Sequence, residues 1–284
     1  MSTAAKVALI EALAGAGATR IEVGAFVSPK WVPQMADTAE VFATLKRKDG
    51  VRYSALVPNL KGLERAMECG VSEIAVFAAA SETFSRKNIN QTIDESLANY
   101  AEVARAARDH GVAVRGYLST CFGCPFEGDV PVERVAELTR RLLDIGVFEV
   151  AISDTIGVAH PGQVRGVLDR LRAQFSPEQL ALHFHDTRGT ALANVLASLD
   201  YAIRTFDSSP GGLGGCPYAP GATGNLAAED LVYMLHGLGI ATGLDLAKLT
   251  AASLALEPEV GHALPSRYVN AVRFRGAPNS PARA

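Results

Sequence analysis

Apolar and polar residues follow two different rhythms along this chain, and the rhythms take turns. Residues 3–15 place Val7, Leu9, Ile10 and Leu13 on one broad helical face, and glycines close the segment. A short β-rich run follows at 19–24, Thr-Arg-Ile-Glu-Val-Gly. Runs of the same kind recur near 51–57, 73–78, 112–118, 148–153, 180–184 and 204–208. Helical stretches separate them near 37–47, 60–69, 92–109, 130–145, 161–174 and 188–203, and two further helices fit 225–238 and 245–256. Strands alternating with helices of this size are expected to be parallel and joined by right-handed crossovers. An open doubly wound sheet and a closed (β/α)8 barrel both satisfy that pattern. The length favours the barrel, and no dinucleotide fingerprint follows the first strand, so the expected fold is an α/β TIM barrel. A closed barrel has eight strands; this chain opens on a helix and offers seven, so strand 1 is expected to be missing. One catalytic domain is expected over 1–270, and a disordered tail over 271–284, rich in Pro, Ala and Arg.

Composition narrows the function classes. With 48% apolar and 20% charged residues among 284, the chain can bury a sizeable core. A formal net charge of -3 gives no reason to expect a nucleic-acid partner. No apolar run approaches the roughly 20 residues of a membrane span, so no membrane partner is expected. The four cysteines, at 69, 121, 124 and 216, are too scattered for a disulfide scaffold. That favours a reducing compartment, and cytoplasmic placement is the expectation, with an organelle left open.

Reactive residues in a barrel gather at the C-terminal ends of strands. The run at 180–184 leads into His183-Phe-His185-Asp186, and residues i and i+2 of a strand share one side. Two imidazoles there can face one divalent metal, or can be two satisfied histidines on a polar strand face. Asp186 can orient a ligand or cap the next helix. After Asp207-Ser208-Ser209 comes a glycine-rich loop carrying Cys216 and ending at Asn225. The thiol can move a proton when such a loop closes. Asn225 is either a helix N-cap or a carbonyl-oxygen ligand completing a His, His, Asn set. Arg115 and Tyr117 share a face of the 112–118 strand, and an arginine inside a barrel usually meets a carboxylate, from protein or substrate. Glu22 and Asp154 also point at the mouth. Cys121-Phe-Gly-Cys124 lacks the second pair a zinc ribbon needs and reads as structural or incidental.

At these residues the chain resembles the hydroxymethylglutaryl-CoA lyase family of DRE-TIM metallolyases. The resemblance spans about residues 2–250. It is carried by Phe26-Val-Ser-Pro-Lys-Trp-Val-Pro-Gln-Met35, Pro58-Asn-Leu-Lys-Gly62, Lys87-Asn-Ile-Asn90, Gly123-Cys-Pro-Phe-Glu-Gly128, Asp154-Thr-Ile-Gly-Val158, His183-Phe-His-Asp-Thr187 and the loop around Cys216. It implies a (β/α)8 fold, Mg2+ or Mn2+, and cleavage of 3-hydroxy-3-methylglutaryl-CoA to acetyl-CoA and acetoacetate, as in leucine degradation and ketone body metabolism. By the same resemblance His183, His185 and Asn225 are metal ligands, His183 also moves a proton, Cys216 acts on the acetyl-CoA enolate, and Glu22, Arg115, Tyr117 and Asp154 line the site. Lys30, Arg86 and Lys87, in loops after strands, can meet CoA phosphates or be solvated surface charge. A homodimer is left open.

The chain also departs from that family. The family's first strand ends in Arg-Asp, within a Gly-Pro-Arg-Asp-Gly-Leu-Gln-like segment, and nothing before the first helix here corresponds to it. Met1 stands before Ser2-Thr3-Ala4, where relatives tend to have Val-Ser-Thr; a GTG codon read as a start gives this Met. A start further upstream is therefore expected, and the chain as written is expected to fold poorly and turn over little substrate. Two other readings stay open: a lyase or synthase for a related 3-hydroxy-acyl-CoA acid, and a catalytically dead barrel kept as a binding module.

Overall fold

The computed structural model describes residues 1–30, 32–214 and 224–273. Seven strands form one parallel sheet in chain order: β1 (Arg20–Ala25), β2 (Arg52–Leu56), β3 (Glu73–Ala79), β4 (Ala113–Ser119), β5 (Val150–Asp154), β6 (Leu180–Phe184) and β7 (Thr205–Asp207). Every adjacent pair is parallel, as the alternation with helices requires. Seven runs were expected, and these are the seven, one short of a closed eight-stranded barrel. Among the described residues β1 and β7 share no strand pairing.

The sheet is nevertheless curled, and the side chains on its concave face show it. Arg20 of β1 reaches Glu149, just before β5, at 3.0 Å; Glu22 of β1 accepts a bond from Tyr117 of β4; Arg115 of β4 reaches Asp207 of β7. A flat sheet would hold strands three or four places apart at about 14–19 Å, given the spacing of neighbours. Small residues leave room for these long side chains: Ala75, Ala151 and Ala181 are all buried. The floor of the interior is an ion-pair cluster, Arg20 and Arg52 against Glu73 and Arg20 against Glu149.

Among the described residues, twelve α-helices accompany the sheet: α1 (Thr3–Gly15), α2 (Thr38–Thr44), α3 (Leu60–Glu68), α4 (Glu82–Ile89), α5 (Ile93–Asp109), α6 (Val132–Asp144), α7 (Pro161–Arg172), α8 (Ala191–Leu199), α9 (Ala228–Gly237), α10 (Leu246–Leu254), α11 (Glu257–Val260) and α12 (Arg267–Arg273). Their starts follow local chemistry. Ser2 caps α1 through Ala5 N–H, Asn59 caps α3 through Gly62 N–H, and Thr92 with Glu95 forms a capping box on α5. The inward faces of α5, α6 and α7 bury Val103, Leu138, Leu142, Leu168 and Leu171, each contributing roughly 1.5–3 kcal/mol by leaving water. At the two ends of the sheet α1 packs on α10, and Asp245 N–H donates to Ala16 C=O at 2.8 Å.

Three details differ from the sequence reading. Residues 82–89 form α4, so Arg86 and Lys87 stand on the last turn of a helix rather than in a loop. The helix expected at 225–238 begins at Ala228 with Ala227 as its N-cap, which removes the N-cap role for Asn225. Residues 271–273 belong to α12, and 274–284 lie outside the described residues.

Candidate active site

The C-terminal end of β6 carries the two histidines. His183 is the fourth residue of the strand and His185 follows its end. The chain past the glycine-rich loop returns beside them: His185 and Asn225 form an antiparallel bridge, Asp186 N–H donates to Gly224 C=O, and Leu226 N–H donates to Phe184 C=O. Leu226 C=O in turn accepts from Ser209 N–H, so residues 224–227 lie between the ends of β6 and β7. Asn225 therefore meets His185 through main-chain pairing, and the Asn225 side chain also interacts with the imidazole. The ring centroids of His183 and His185 are 5.2 Å apart.

Among the described residues, His185 Nδ1 and Asn225 Oδ1 are both buried without a well-aligned hydrogen bond, although the Asn225 side chain is close enough to His185 to favour its charged form. The amide is oriented by its other end, since Asn225 Nδ2 donates to Leu213 C=O at 2.9 Å and so turns Oδ1 away from that carbonyl. Leaving a buried acceptor unmet costs about 1–3 kcal/mol, which makes two orphans side by side expensive unless something else satisfies them. Among the described residues no three His, Cys, Asp or Glu side chains form a metal set. The group that fits a divalent cation here is two imidazoles and an amide oxygen, a mixed N/O set of the kind such ions accept. Burial, and then the neighbouring His183, push the His185 imidazole down to about 4, so its ring is neutral at pH 7 and needs no deprotonation to bind a cation.

A depressed pKa has a consequence for folding. The unfolded chain takes up a proton on His185 near pH 6.5, whereas the fold refuses it until about pH 4, so in the metal-free chain His185 lowers stability progressively across that window. Asp154 works the other way, since burial pushes its carboxyl up to about 6 against the backbone N–H groups of Val158 and Ala159. The two groups offset each other in the parent. We expect His185→Gln to gain about 2 kcal/mol relative to the parent on going from pH 7 to pH 4.5. Urea midpoints of both metal-free proteins at the two pH values check this, and a difference that does not change with pH would refute it.

Across the mouth stands a charged network. Arg115 is buried, and Nε donates to Glu149 at 2.7 Å, Nη1 to Tyr117 Oη at 2.9 Å and Asp207 Oδ2 at 3.1 Å, and Nη2 to Asp207 Oδ1 at 2.9 Å. Four of its five N–H groups are thus taken by protein. The carboxylate expected opposite Arg115 is supplied twice, by Asp207 and Glu149. Burial raises the Asp207 carboxyl, but Arg115 and His183 outweigh that and hold it at about 2. Tyr117 donates to Glu22 Oε2 at 3.0 Å, and burial followed by the Glu22 and Asp207 charges keeps its phenol protonated. Glu22 is deep among protein atoms yet open to solvent on one side. Burial raises its carboxyl, the Tyr117 bond lowers it, and the Asp207 charge raises it again. The structure thus brings Glu22, Arg115, Tyr117 and His183 into one network. Asp154 lies nearby, with both oxygens engaged by its own loop.

Other expected residues fall elsewhere. Lys30 is exposed. Arg86 pairs with Glu82 on α4, and Lys87 lies 4.4 Å above the Phe126 ring. Asp186 Oδ1 accepts from Ala191 N–H, the first residue of α8, and Oδ2 accepts from Arg267 at 2.6 Å. Cys121 donates to Leu118 C=O, while Cys124 bonds Ser81 and accepts from Phe126 and Glu127 N–H, which is a turn-holding role. Cys216 and Trp31 lie outside the described residues. Sequence reasoning passed over Asp207 and Glu149. Asp207 had a signal, a carboxylate closing a strand beside the glycine-rich loop, and Glu149 had only its place before β5.

Gly157 locks the β5 loop onto the β6 loop. Its φ is +62°, and a Cβ there would stand 2.5 Å from Thr187 Oγ1 and 2.6 Å from Thr187 Cβ. Gly157→Ala is expected to destabilise the fold by about 2–4 kcal/mol through a left-handed backbone and a contact with no room to relax. A shift in thermal midpoint of less than a degree would contradict this.

A curled parallel sheet with a polar, charged mouth at its strand ends defines a βα-barrel enzyme. The chain matches the HMGL-like family over residues 1–255 and belongs to that family, whose members depend on a divalent metal. It is 52% identical over 272 residues to the 3-hydroxy-3-isohexenylglutaryl-CoA/hydroxy-methylglutaryl-CoA lyase of Pseudomonas aeruginosa, covering 96% of this chain and 91% of that one. A crystal structure of hydroxymethylglutaryl-CoA lyase from Pseudomonas aeruginosa superposes with a TM-score of 0.95 at 51% identity, over 97% of this chain and 92% of that one. An HMG-CoA lyase from Acinetobacter baumannii, solved with coenzyme A and 3-methylmalate, superposes at 0.92 with 40% identity, over 99% and 92%. Among the described residues no helix is long and apolar enough to cross a membrane.

Proposed function

We propose that this chain is a divalent-metal-dependent carbon–carbon lyase that cleaves 3-hydroxy-3-methylglutaryl-CoA to acetyl-CoA and acetoacetate, with Mg2+ or Mn2+ as the metal. The observation that carries the reading is the pairing of His185 with Asn225, two orphaned donor atoms beside His183 at the strand ends of an HMGL-like barrel. His183, His185 and Asn225 would hold the ion. When bound, a divalent cation would supply Lewis acidity that makes the tertiary hydroxyl of the substrate easier to deprotonate.

The protein's own groups divide the remaining work. The hydroxyl must lose a proton, after which the bond to the thioester-bearing carbon breaks and its electron pair becomes the enolate of acetyl-CoA. Glu22 is suited to receive that proton, being open to solvent on one side and steadied on the other by the Tyr117 hydroxyl. His183 has Nδ1 turned to Asp207, so its Nε2 lone pair serves either the ion or a proton, not both at once. The enolate then takes a proton, the role we assign to the Cys216 thiol. Lys30, Arg86 and Lys87 are exposed cations that we assign to the phosphates of an acyl-CoA, Arg86 while paired with Glu82 and Lys87 while over the Phe126 ring.

Acetoacetate and acetyl-CoA release from 3-hydroxy-3-methylglutaryl-CoA, with and without Mn2+, tests the reading. Metal-dependent formation of both products in equal amounts supports it. A second reading is favoured by the relative named for an isohexenylglutaryl-CoA substrate, and preferential turnover of a longer 3-substituent would establish it. Tight acyl-CoA binding with no turnover of either would instead establish a binding module.

A further inference from the structure

Asp207 carries none of the chemistry assigned above, yet three elements meet on it. Its Oδ1 accepts from Arg115 Nη2 at 2.9 Å, its Oδ2 accepts from Arg115 Nη1 at 3.1 Å, and the same Oδ2 lies 3.3 Å from His183 Nδ1. A carboxylate doubly bonded to a guanidinium is ionised and can only accept. The imidazole nitrogen facing it therefore carries the hydrogen. We propose that Asp207 is a positioning residue that fixes His183 as its Nδ1–H tautomer and so presents Nε2, on the far side of the ring, to the divalent ion. The inference rests on the reading of His183 as a ligand.

The surroundings make this orientation hard to undo. Glu149 accepts from Arg115 Nε at 2.7 Å, so the guanidinium is gripped from behind as well as in front. The Tyr117 ring meets the His183 ring edge-on, with centroids 6.1 Å apart and planes at 81°. Imidazole, carboxylate, guanidinium and second carboxylate thus form a row contributed by β6, β7, β4 and the residue before β5. Rotating the ring would break a hydrogen bond to a charged acceptor. Partners of this kind, behind a ligating histidine, set which nitrogen faces the metal.

Asp207→Asn exposes the device because it is nearly isosteric but has one acceptor oxygen instead of two. Among the described residues Arg115 Nη2 has no other partner, whereas Nη1 also has Tyr117, so the amide oxygen goes to the Oδ1 position and the amide nitrogen to Oδ2. A donor then faces His183 Nδ1, and the ring must move its hydrogen to Nε2. The test is long-range 1H–15N correlation on the metal-free full chain, with Mn2+ affinity measured by calorimetry. The unaltered protein should show a protonated Nδ1 and a bare Nε2 on His183. Asp207→Asn should show the reverse, with Mn2+ affinity lower by tenfold or more. A protonated Nε2 in the unaltered protein, which needs no variant to fold, overturns the proposal, and so does an unchanged tautomer in Asp207→Asn. A reversed tautomer with unchanged Mn2+ affinity upholds Asp207 as the positioning residue and overturns His183 as a ligand.

Discussion

Arg115→Met should unfold at a much lower urea concentration than the parent, with a loss of about 3–5 kcal/mol at pH 7. The size follows from what the guanidinium holds. Its removal leaves Glu149 and Asp207 as like charges in the barrel interior, with Glu149 keeping only Arg20. Methionine fills the stem volume but satisfies neither carboxylate. The sign with pH is fixed by Asp207. Its folded carboxyl stays near 2 against an unfolded value of 3.8, so in the parent it contributes stability that is present above about pH 4 and is lost as pH falls through 2. Arg115→Met lacks that contribution, and the deficit between the two proteins should narrow below pH 4. Arg115→Met with Asp207→Asn should recover part of the loss at pH 7, because one stranded charge is gone. Equal stability of the single variant and the parent at pH 7 would show that the network is solvated rather than buried.

The barrel was legible because its signal is repetitive. Each strand buries one face on helices and each helix buries one stripe on the sheet, so the chain enters the strand period seven times, and all seven strands lie within about two residues of the runs that predict them. The mouth was partly legible for the same reason. Strand ends point inward at fixed positions, and His183, Arg115, Tyr117 and Glu22 are the residues that this places there. Three things were not legible, each for a physical reason. Helix α4 has Thr83, Phe84, Ser85 and Asn88 among eight residues, which weakens its helical signal; the Ser81 cap and Phe84 packing beside Cys124 support it. Asn225 looked like an N-cap because it precedes a helix, but a pairing with His185, 40 residues away in sequence, decides its place. Asp207 looked like the polar end of a strand, since nothing local tells that Arg115 lies across the barrel from it. The elements follow from neighbours in sequence, and the site depends on neighbours in space.

His185→Ala should abolish function while leaving the fold standing. The bridge between His185 and Asn225 is made by main-chain groups, so truncating the ring does not unzip it. The ring leaves a small void, which costs stability, but it also takes away a buried nitrogen with no partner, which returns about 1–3 kcal/mol. The net change in the metal-free chain should therefore lie within about 1–2 kcal/mol. Function has no such compensation. Losing one of three ligands removes the charge stabilisation that a bound cation supplies, worth several kcal/mol, so turnover of 3-hydroxy-3-methylglutaryl-CoA should fall on the order of 10^3-fold or more at saturating Mn2+. Asn225→Ala should show the same separation, though it also frees Leu213 C=O. Measuring denaturant midpoints and Mn2+ affinity on the same preparations keeps the two effects apart. Lost turnover with lost stability would mean that His185 is a core residue, and full turnover with weakened Mn2+ binding would mean that the ion is structural. Lost turnover and weak Mn2+ binding on an intact fold is the result expected of a ligand, because the buried His185 nitrogen and Asn225 oxygen sit beside His183 at the strand ends, where an ion can satisfy them.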